Sequence, residues 1–169
     1  MLNGNEWQQL HSDFLSDTPQ LLSRADECLS HLELISDDRD AIECMLVTLR
    51  QVAGKADKAG VCGVGCFARQ LRYLLYFAAA SGRLLPKALA SLRQCLALLS
   101  WQVELVDPFT GVLLLDEDEQ QALLEQFGCC CGIEQPEGSP AESLEWPAPL
   151  PLNPPDVAGV DRADRPGTL

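Results

Sequence analysis

The feature that most constrains this chain is the spacing of its apolar side chains, which recur every three or four residues between residues 5 and 106. That period is typical of one face of an amphipathic α-helix, whereas a half-buried strand alternates at every second residue. Leucine dominates, with 30 copies in the chain, and aromatic residues make up only 6%. A sheet protein would carry more β-branched and aromatic residues. The pattern therefore predicts an all-α protein.

Turn and capping residues interrupt the pattern and predict the helix boundaries. Trp7, Leu10 and Phe14 share one face of a short first helix. Thr18-Pro19 is typical of an N-cap followed by proline in the first turn, so it predicts a second start. Further boundaries are predicted at Ser36-Asp37-Asp38, at Gly60, Gly63 and Gly65, at Ser81-Gly82, at Pro86 and at Asp107-Pro108. Short connections make neighbouring helices antiparallel, so residues 5–106 are predicted to form an up-and-down helical bundle.

Residues 107–132 predict one more short helix that packs on or beside the bundle. An acidic run, Asp116 to Glu119, precedes apolar positions that extend to Phe127. Acidic side chains are favourable at a helix N-terminus, and the spacing of Asp116 and Glu119 is that of a capping box.

Residues 133–169 are predicted to be a disordered, proline-rich acidic tail. Eight of the eleven prolines lie there, and few apolar residues are available to offset the entropy lost on ordering. Trp146 lies among prolines at residues 144–152, a composition that suits a short recognition peptide. A spacer that carries an isolated tryptophan explains this segment equally well.

The charge balance excludes several classes of partner. The net charge is −13 and the pI is about 4.4, so phosphate backbones and anionic membrane surfaces repel the chain. No window of 18 uninterrupted apolar residues is present, and the N-terminus lacks a basic segment followed by an apolar one. We therefore expect a cytoplasmic protein that binds neither nucleic acid nor membrane.

The order of the predicted helices, and above all residues 49–82, resembles a known signalling domain. These residues read Leu49-Arg50-Gln51-Val52-Ala53-Gly54-Lys55-Ala56-Asp57, then a glycine-rich turn, then a leucine-bearing helix from Phe67. This order is similar to the histidine-containing phosphotransfer (HPt) domain, above all the N-terminal one of CheA-type chemotaxis kinases, with its pattern Phe-Arg-x-x-His-[Ser/Thr]-[Leu/Ile]-Lys-Gly. The resemblance covers about residues 14–105. It implies an HPt-like bundle that docks against response-regulator receiver domains or histidine kinases.

The chain departs from that pattern at the positions that carry out phosphotransfer. Ala53 occupies the position of the phospho-accepting histidine, Ala56 that of the lysine and Asp57 that of the glycine. Phosphotransfer requires a nucleophile, and a methyl group supplies none. The resemblance therefore implies a non-catalytic pseudo-phosphotransfer protein without a cofactor. The residues expected to bind the partner are Gln51, Ala53, Lys55, Asp57, Lys58, Arg69 and Arg72, together with Trp146.

No other group in the sequence replaces the missing nucleophile. Neither His11 nor His31 is followed by a lysine three residues later, and each is expected to be a solvated helix residue. The glycines of Gly60-x-x-Gly63-x-Gly65 follow a helix and lack the Lys-Ser/Thr pair of a nucleotide-binding loop. No spacing suggests a catalytic triad or paired carboxylates, so we expect no enzyme activity.

The eight cysteines leave a further interpretation open. Five lie in predicted helices and are expected to behave as small hydrophobic residues: Cys28, Cys44, Cys62, Cys66 and Cys95. Cys129, Cys130 and Cys131 are consecutive, which would suit a thiol-based metal or redox regulator. Consecutive side chains do not easily converge on one tetrahedral ion, so we favour structural thiols and expect no bound metal.

The function expected from the sequence is binding of a receiver domain or a histidine kinase in a two-component or chemotaxis-like system. One alternative is a helical adaptor of an unrelated system whose bundle resembles HPt by convergence. A less favoured alternative is the thiol-based regulator.

Overall fold

The computed structural model describes residues 5–82 and 84–133, in which six α-helices and no β-strand are present. The helices are α1 (Glu6–Leu10), α2 (Ser12–Leu34), α3 (Arg39–Ala59), α4 (Cys62–Ala80), α5 (Pro86–Leu105) and α6 (Asp118–Cys130). The all-α prediction is confirmed. The chain divides into two units, Met1–Gln135 and Pro136–Leu169. Almost all of the predicted tail, including Trp146, lies outside the described residues.

Helices α2 to α5 form the bundle. Each packs against the next in the chain, and α5 closes the ring against α2, while α6 covers α5 and the adjoining side of α4. The predicted inward positions are largely buried, because each helix turns its apolar stripe to the common core. The largest fully buried apolar side chains are Phe67, Phe127, Leu29, Leu32, Met45, Leu49, Leu71, Leu75, Leu92, Leu99 and Leu124.

The boundary between the first two helices was predicted wrongly. The break lies at His11, and α2 runs without interruption from Ser12 to Leu34, with Pro19 inside it. Thr18 is fully buried instead of capping a new helix, and Leu10 is 72% exposed instead of lying beside Trp7 in the core. Proline in a helix interior removes one backbone donor. Here the apolar stripe continues on both sides of it, through Phe14 and Leu22, and tertiary packing keeps the helix continuous.

The α3 boundaries are set by caps. The Asp38 side chain accepts hydrogen bonds from the backbone N–H of Asp40 and of Ala41, which confirms the predicted start. Gly60 ends the helix in the left-handed conformation (φ 75°), which a residue with a Cβ adopts only with strain. Gly63 and Gly65, predicted to belong to the same break, instead lie in the first turns of α4.

The start of α6 also differs from the prediction. The helix begins at Asp118, its N-cap is Glu117, and no side chain caps it. Asp116 accepts a hydrogen bond from the Asp118 N–H two residues ahead. Because Asp116 lies outside the N-cap position, it cannot form a capping box with Glu119. The predicted extent to Phe127 holds, and the helix continues to Cys130.

Carboxylates on α2 and at the start of α3 form hydrogen bonds and ion pairs with side chains of other helices. Lys55 Nζ lies 2.6 Å from an Asp17 oxygen, and Arg93 binds both Asp26 and Glu33. The pKa of Asp17 is lowered first by its hydrogen bond to Lys55, and that of Glu33 first by its bond to Arg93. The pKa of Asp38 is lowered first by the Ala41 backbone N–H and then by His31.

These lowered pKa values predict that the folded protein becomes less stable as the pH falls. A carboxylate whose folded pKa lies below its unfolded value stabilises the fold above the unfolded pKa, about 4 for Asp and Glu. That contribution is lost as the pH falls through the folded pKa. We expect the urea midpoint to decline below about pH 4, and to decline less in Glu33→Gln. A midpoint that stays constant or rises between pH 5 and pH 2.5 would contradict this expectation.

No helix in the described part of the chain is both long and apolar enough to cross a membrane.

Candidate functional site

The site expected from the sequence centres on Ala53, which the structure buries. Its side chain is 3% exposed, and its backbone carbonyl lies beside Gly65 near the start of α4. A Cβ placed on Gly65 would come 3.6 Å from the Ala53 carbonyl oxygen and 2.6 Å from Asp57 Oδ1. The glycine thus permits α4 to approach α3 closely. Ala53 belongs to the packed seam between α3 and α4, so its assignment to an exposed docking surface is corrected.

The charged residues around Ala53 divide between two sides of α3. Lys55 is partly buried toward α2, where it binds Asp17 at 2.6 Å. Asp57 faces α4, where Arg69 Nη1 donates to its Oδ2 at 2.5 Å, and a second Arg69 nitrogen lies 3.4 Å from Cys66 Sγ. The Asp57 contact is the main cause of a raised pKa of the Arg69 guanidinium. The structure therefore brings Asp57 and Arg69 together and separates Lys55 from them.

Arg72 fixes a second contact between α3 and α4. Its Nε donates to the Leu46 carbonyl at 3.1 Å across the two helices. Burial, and then repulsion from the nearby Arg50 guanidinium, lower the pKa of Arg72. Arg50 is exposed and forms no ion pair within the described part of the chain. Two cations therefore lie close together on a protein whose net charge is −13.

An aromatic cluster next to these cations was missed by the sequence reasoning. The Tyr73 and Phe77 ring centroids are 4.6 Å apart, and the Tyr76 ring meets Phe77 edge-on at 5.6 Å. Tyr76 is 44% exposed and Phe77 38%. The signal was available, because Tyr76 and Phe77 follow Tyr73 by one helical turn and all three lie off the predicted inward stripe of α4. Exposed aromatic residues beside arginine are the side chains that most often anchor protein interfaces.

We define the α3–α4 face as this cationic and aromatic surface. Its members are Arg50, Gln51, Asp57, Lys58, Arg69, Arg72, Tyr73, Tyr76 and Phe77. Of the predicted partner-binding residues, Gln51, Asp57, Lys58 and Arg69 are exposed and Arg72 is half-buried, and their role in binding stays a prediction. Four of these residues are cations, out of nine lysines and arginines in the described part of the chain.

Both histidines lie away from this face. His31 Nε2 is 2.7 Å from an Asp38 carboxylate oxygen at the turn between α2 and α3. The His11 ring packs on Trp7, with centroids 4.9 Å apart, between α1 and α2. The described parts of α3 and α4 thus present no imidazole that could accept a phosphoryl group.

The thiols differ in exposure from what the sequence suggested. Cys28 and Cys95 are buried, whereas Cys62 and Cys66 are exposed on α4 and do not act as core residues. The last three cysteines diverge, with Cys129 exposed and Cys131 buried. Among residues 5–82 and 84–133, no three His, Cys, Asp or Glu side chains are grouped as metal ligands would be.

A cavity of about 440 Å³ lies between the α3–α4 turn and residues 107–117. Trp7, Gly60, Gly63 and Gln120 are among its lining residues. Glu117 is the one charged residue in that described lining, and a carboxylate repels phosphate. The charge of this lining therefore disfavours phosphate beside the glycines of the turn.

No protein-family model, curated protein or solved structure gives a significant match to this chain. The resemblance to HPt domains accordingly stays a prediction carried by the residues quoted above.

Because Ala53 is buried, a histidine placed there tests whether this position could accept phosphate. We expect that Ala53→His does not create a phosphate acceptor, because the imidazole would be forced into the closely packed seam next to Gly65. Overpacking of this kind costs about 1–3 kcal/mol, so the melting temperature should fall. Gly54→His, on the exposed side of the same helix, should leave it nearly unchanged by comparison. An Ala53→His protein with wild-type stability that accepts phosphate from a kinase would show that residue 53 is accessible.

Proposed function

We propose that this protein is a non-catalytic, HPt-like binding protein that engages a response-regulator receiver domain or a histidine kinase through the α3–α4 face. The observation that carries the proposal is the substitution at residue 53. A buried methyl group occupies the position that the resemblance assigns to the phospho-accepting histidine. On this proposal α3 and α4 supply the surface that docks against a partner, without the nucleophile that phosphotransfer would need.

Charge supports a receiver domain as the partner. Arg50, Lys58, Arg69 and Arg72 lie on α3 and α4 of an acidic molecule, and Asp57 offsets one of these charges through its ion pair with Arg69. A receiver's phosphorylation pocket is acidic, because the accepting group is an aspartate, and opposite charges steer association and fix its register. The aromatic side chains of Tyr76 and Phe77 supply apolar contact area beside the cations. The protein would then sequester a receiver, compete with a true phosphotransfer protein or scaffold a signalling array.

Calorimetric titration of the full chain with a panel of receiver domains and kinase domains tests the proposal. We expect saturable binding to at least one member, with an affinity that weakens as salt is raised because the contacts are charged. A true HPt protein added as competitor should displace the chain, since both would occupy the same receiver surface. Absence of binding across the panel, or binding that the competitor leaves unchanged, would refute the proposal.

The second candidate is a helical adaptor of an unrelated system. The observation that favours it is the exposed aromatic cluster, which would anchor any apolar partner surface and does not itself select a receiver. Affinity capture from a cell extract separates the two candidates. Capture of receivers or kinases that is lost when Arg50 is replaced supports the first candidate. Capture of other proteins that is lost only when Phe77 is replaced supports the second.

A further inference from the structure

One ion pair fixes which residues of α2 lie opposite which residues of α3 along the contact, or seam, between the two helices. Asp17 on α2 faces Lys55 on α3 at 2.6 Å. Cys28 follows Asp17 by eleven residues, and Cys44 precedes Lys55 by eleven residues. Eleven residues make about three turns of an α-helix, so each cysteine lies on the same helix face as its ion-pair residue. Because α2 and α3 run in opposite directions, this register places Cys28 opposite Cys44.

The contacts of the two thiols agree with this count. The Cys28 and Cys44 thiols lie close enough for each to shift the pKa of the other, and both cysteines are free. Neighbouring positions of the seam are small: Ala25 and Thr48 are both fully buried. Small side chains at a helix contact permit the helix axes to come close. The register, the small neighbouring side chains and the mutual effect of the thiols therefore place Cys28 and Cys44 close together across the α2–α3 seam.

The two thiols differ in reactivity. Burial raises the pKa of the Cys28 thiol to about 12, and the neighbouring Cys44 thiol adds to the effect. At Cys44 burial also raises the pKa, but the Cys28 thiol and the Arg24 guanidinium outweigh it, so the pKa is lowered. Cys44 is also the more accessible of the two, since it is half-buried whereas Cys28 is 9% exposed. A thiolate is the reactive form, so attack begins at Cys44.

We propose that Cys28 and Cys44 form a redox-responsive dithiol that closes into a disulfide between α2 and α3 on exposure to a hydroperoxide. The Cys44 thiolate attacks one peroxide oxygen, the O–O bond breaks, and Cys44 becomes a sulfenic acid while the departing oxygen takes a proton. Cys28 sulfur then attacks Cys44 sulfur, the S–O bond breaks, and hydroxide leaves with the Cys28 proton as water. With hydrogen peroxide, two thiols are oxidised by two electrons and one peroxide is reduced to two waters.

Mapping of the disulfide in the full chain tests this proposal. Reduced protein is treated with hydrogen peroxide, alkylated and digested with trypsin, which separates residues 25–39, with Cys28 as their only cysteine, from residues 40–50, with only Cys44. We expect these two peptides to be linked as the dominant disulfide. The cross-link removes conformational freedom from the unfolded chain, so the melting temperature should rise and dithiothreitol should reverse the rise.

Variants assign the two steps. Cys28→Ser should leave a sulfenic acid on Cys44 that dimedone traps, and Cys44→Ser should abolish both the trapped product and the cross-link. Cys62→Ser is the matched control, because Cys62 is exposed on another helix, and it should leave the linked peptides unchanged. The proposal is overturned if the 25–39 and 40–50 peptides are linked no more often than other cysteine pairs. It is also overturned if they link only in urea.

Discussion

Replacement of Leu71 by alanine should lower the free energy of unfolding by about 2–5 kcal/mol. Leu71 is fully buried on the inward face of α4, so truncation removes apolar contacts and leaves a cavity that neighbouring helices fill only in part. Leu96 on α5 is 4% exposed and should behave in the same way. The measurement is urea denaturation followed by circular dichroism at 222 nm, with the midpoint and slope fitted together.

Leu114→Ala is the matched control for these substitutions. It removes the same atoms from a side chain that is 91% exposed, so the free energy of unfolding should change by less than about 0.5 kcal/mol. Equal losses for Leu71→Ala and Leu114→Ala would mean that the bundle does not pack on the faces described here.

Replacement of Arg50 by glutamate should weaken binding of the receiver domain at least ~10-fold, which corresponds to about 1.4 kcal/mol. The substitution puts a negative charge in the middle of the α3–α4 face, where an acidic partner would be repelled. Folding should be unaffected, because Arg50 is exposed and its removal relieves repulsion with Arg72. Calorimetric titration of the wild-type and variant chains measures the difference.

Lys87→Glu provides the control for charge. It makes the same change of two charge units on α5, at an exposed position outside the α3–α4 face. We expect it to alter the affinity far less than Arg50→Glu does. If the two variants weaken binding equally, the effect is one of net charge, and the partner does not dock on α3 and α4.

Much of the fold could be predicted because burial follows the helical period. The inward stripes of α3, α4 and α5 hold in the structure, and the caps at Asp38, Gly60 and Pro86 act locally. The wrong prediction at Pro19 arose because tertiary packing, and not a local signal, decides the structure there. Thr-Pro is a local start signal, but packing on both sides of it keeps α2 continuous, and such long-range packing cannot be inferred from a short sequence window.

The candidate site was less accessible to sequence reasoning. A pattern match placed Ala53 and Lys55 on one docking surface, yet the side that a residue presents depends on the rotation of α3 against α2 and α4. The structure turns Ala53 into the α4 seam and Lys55 toward Asp17. The Cys28 and Cys44 pair was missed for the same reason, since residues 28 and 44 meet only through the register of α2 and α3.

The measurement that tests the central claim most directly is phosphoryl transfer from the receiver domain that binds. The full chain is mixed with that receiver carrying a radiolabelled aspartyl phosphate, and complex formation and label are followed in the same samples. We predict a complex that depends on Arg50 and no label on this chain. Label that appears on the chain and disappears when His31 or another single residue is replaced would contradict the account.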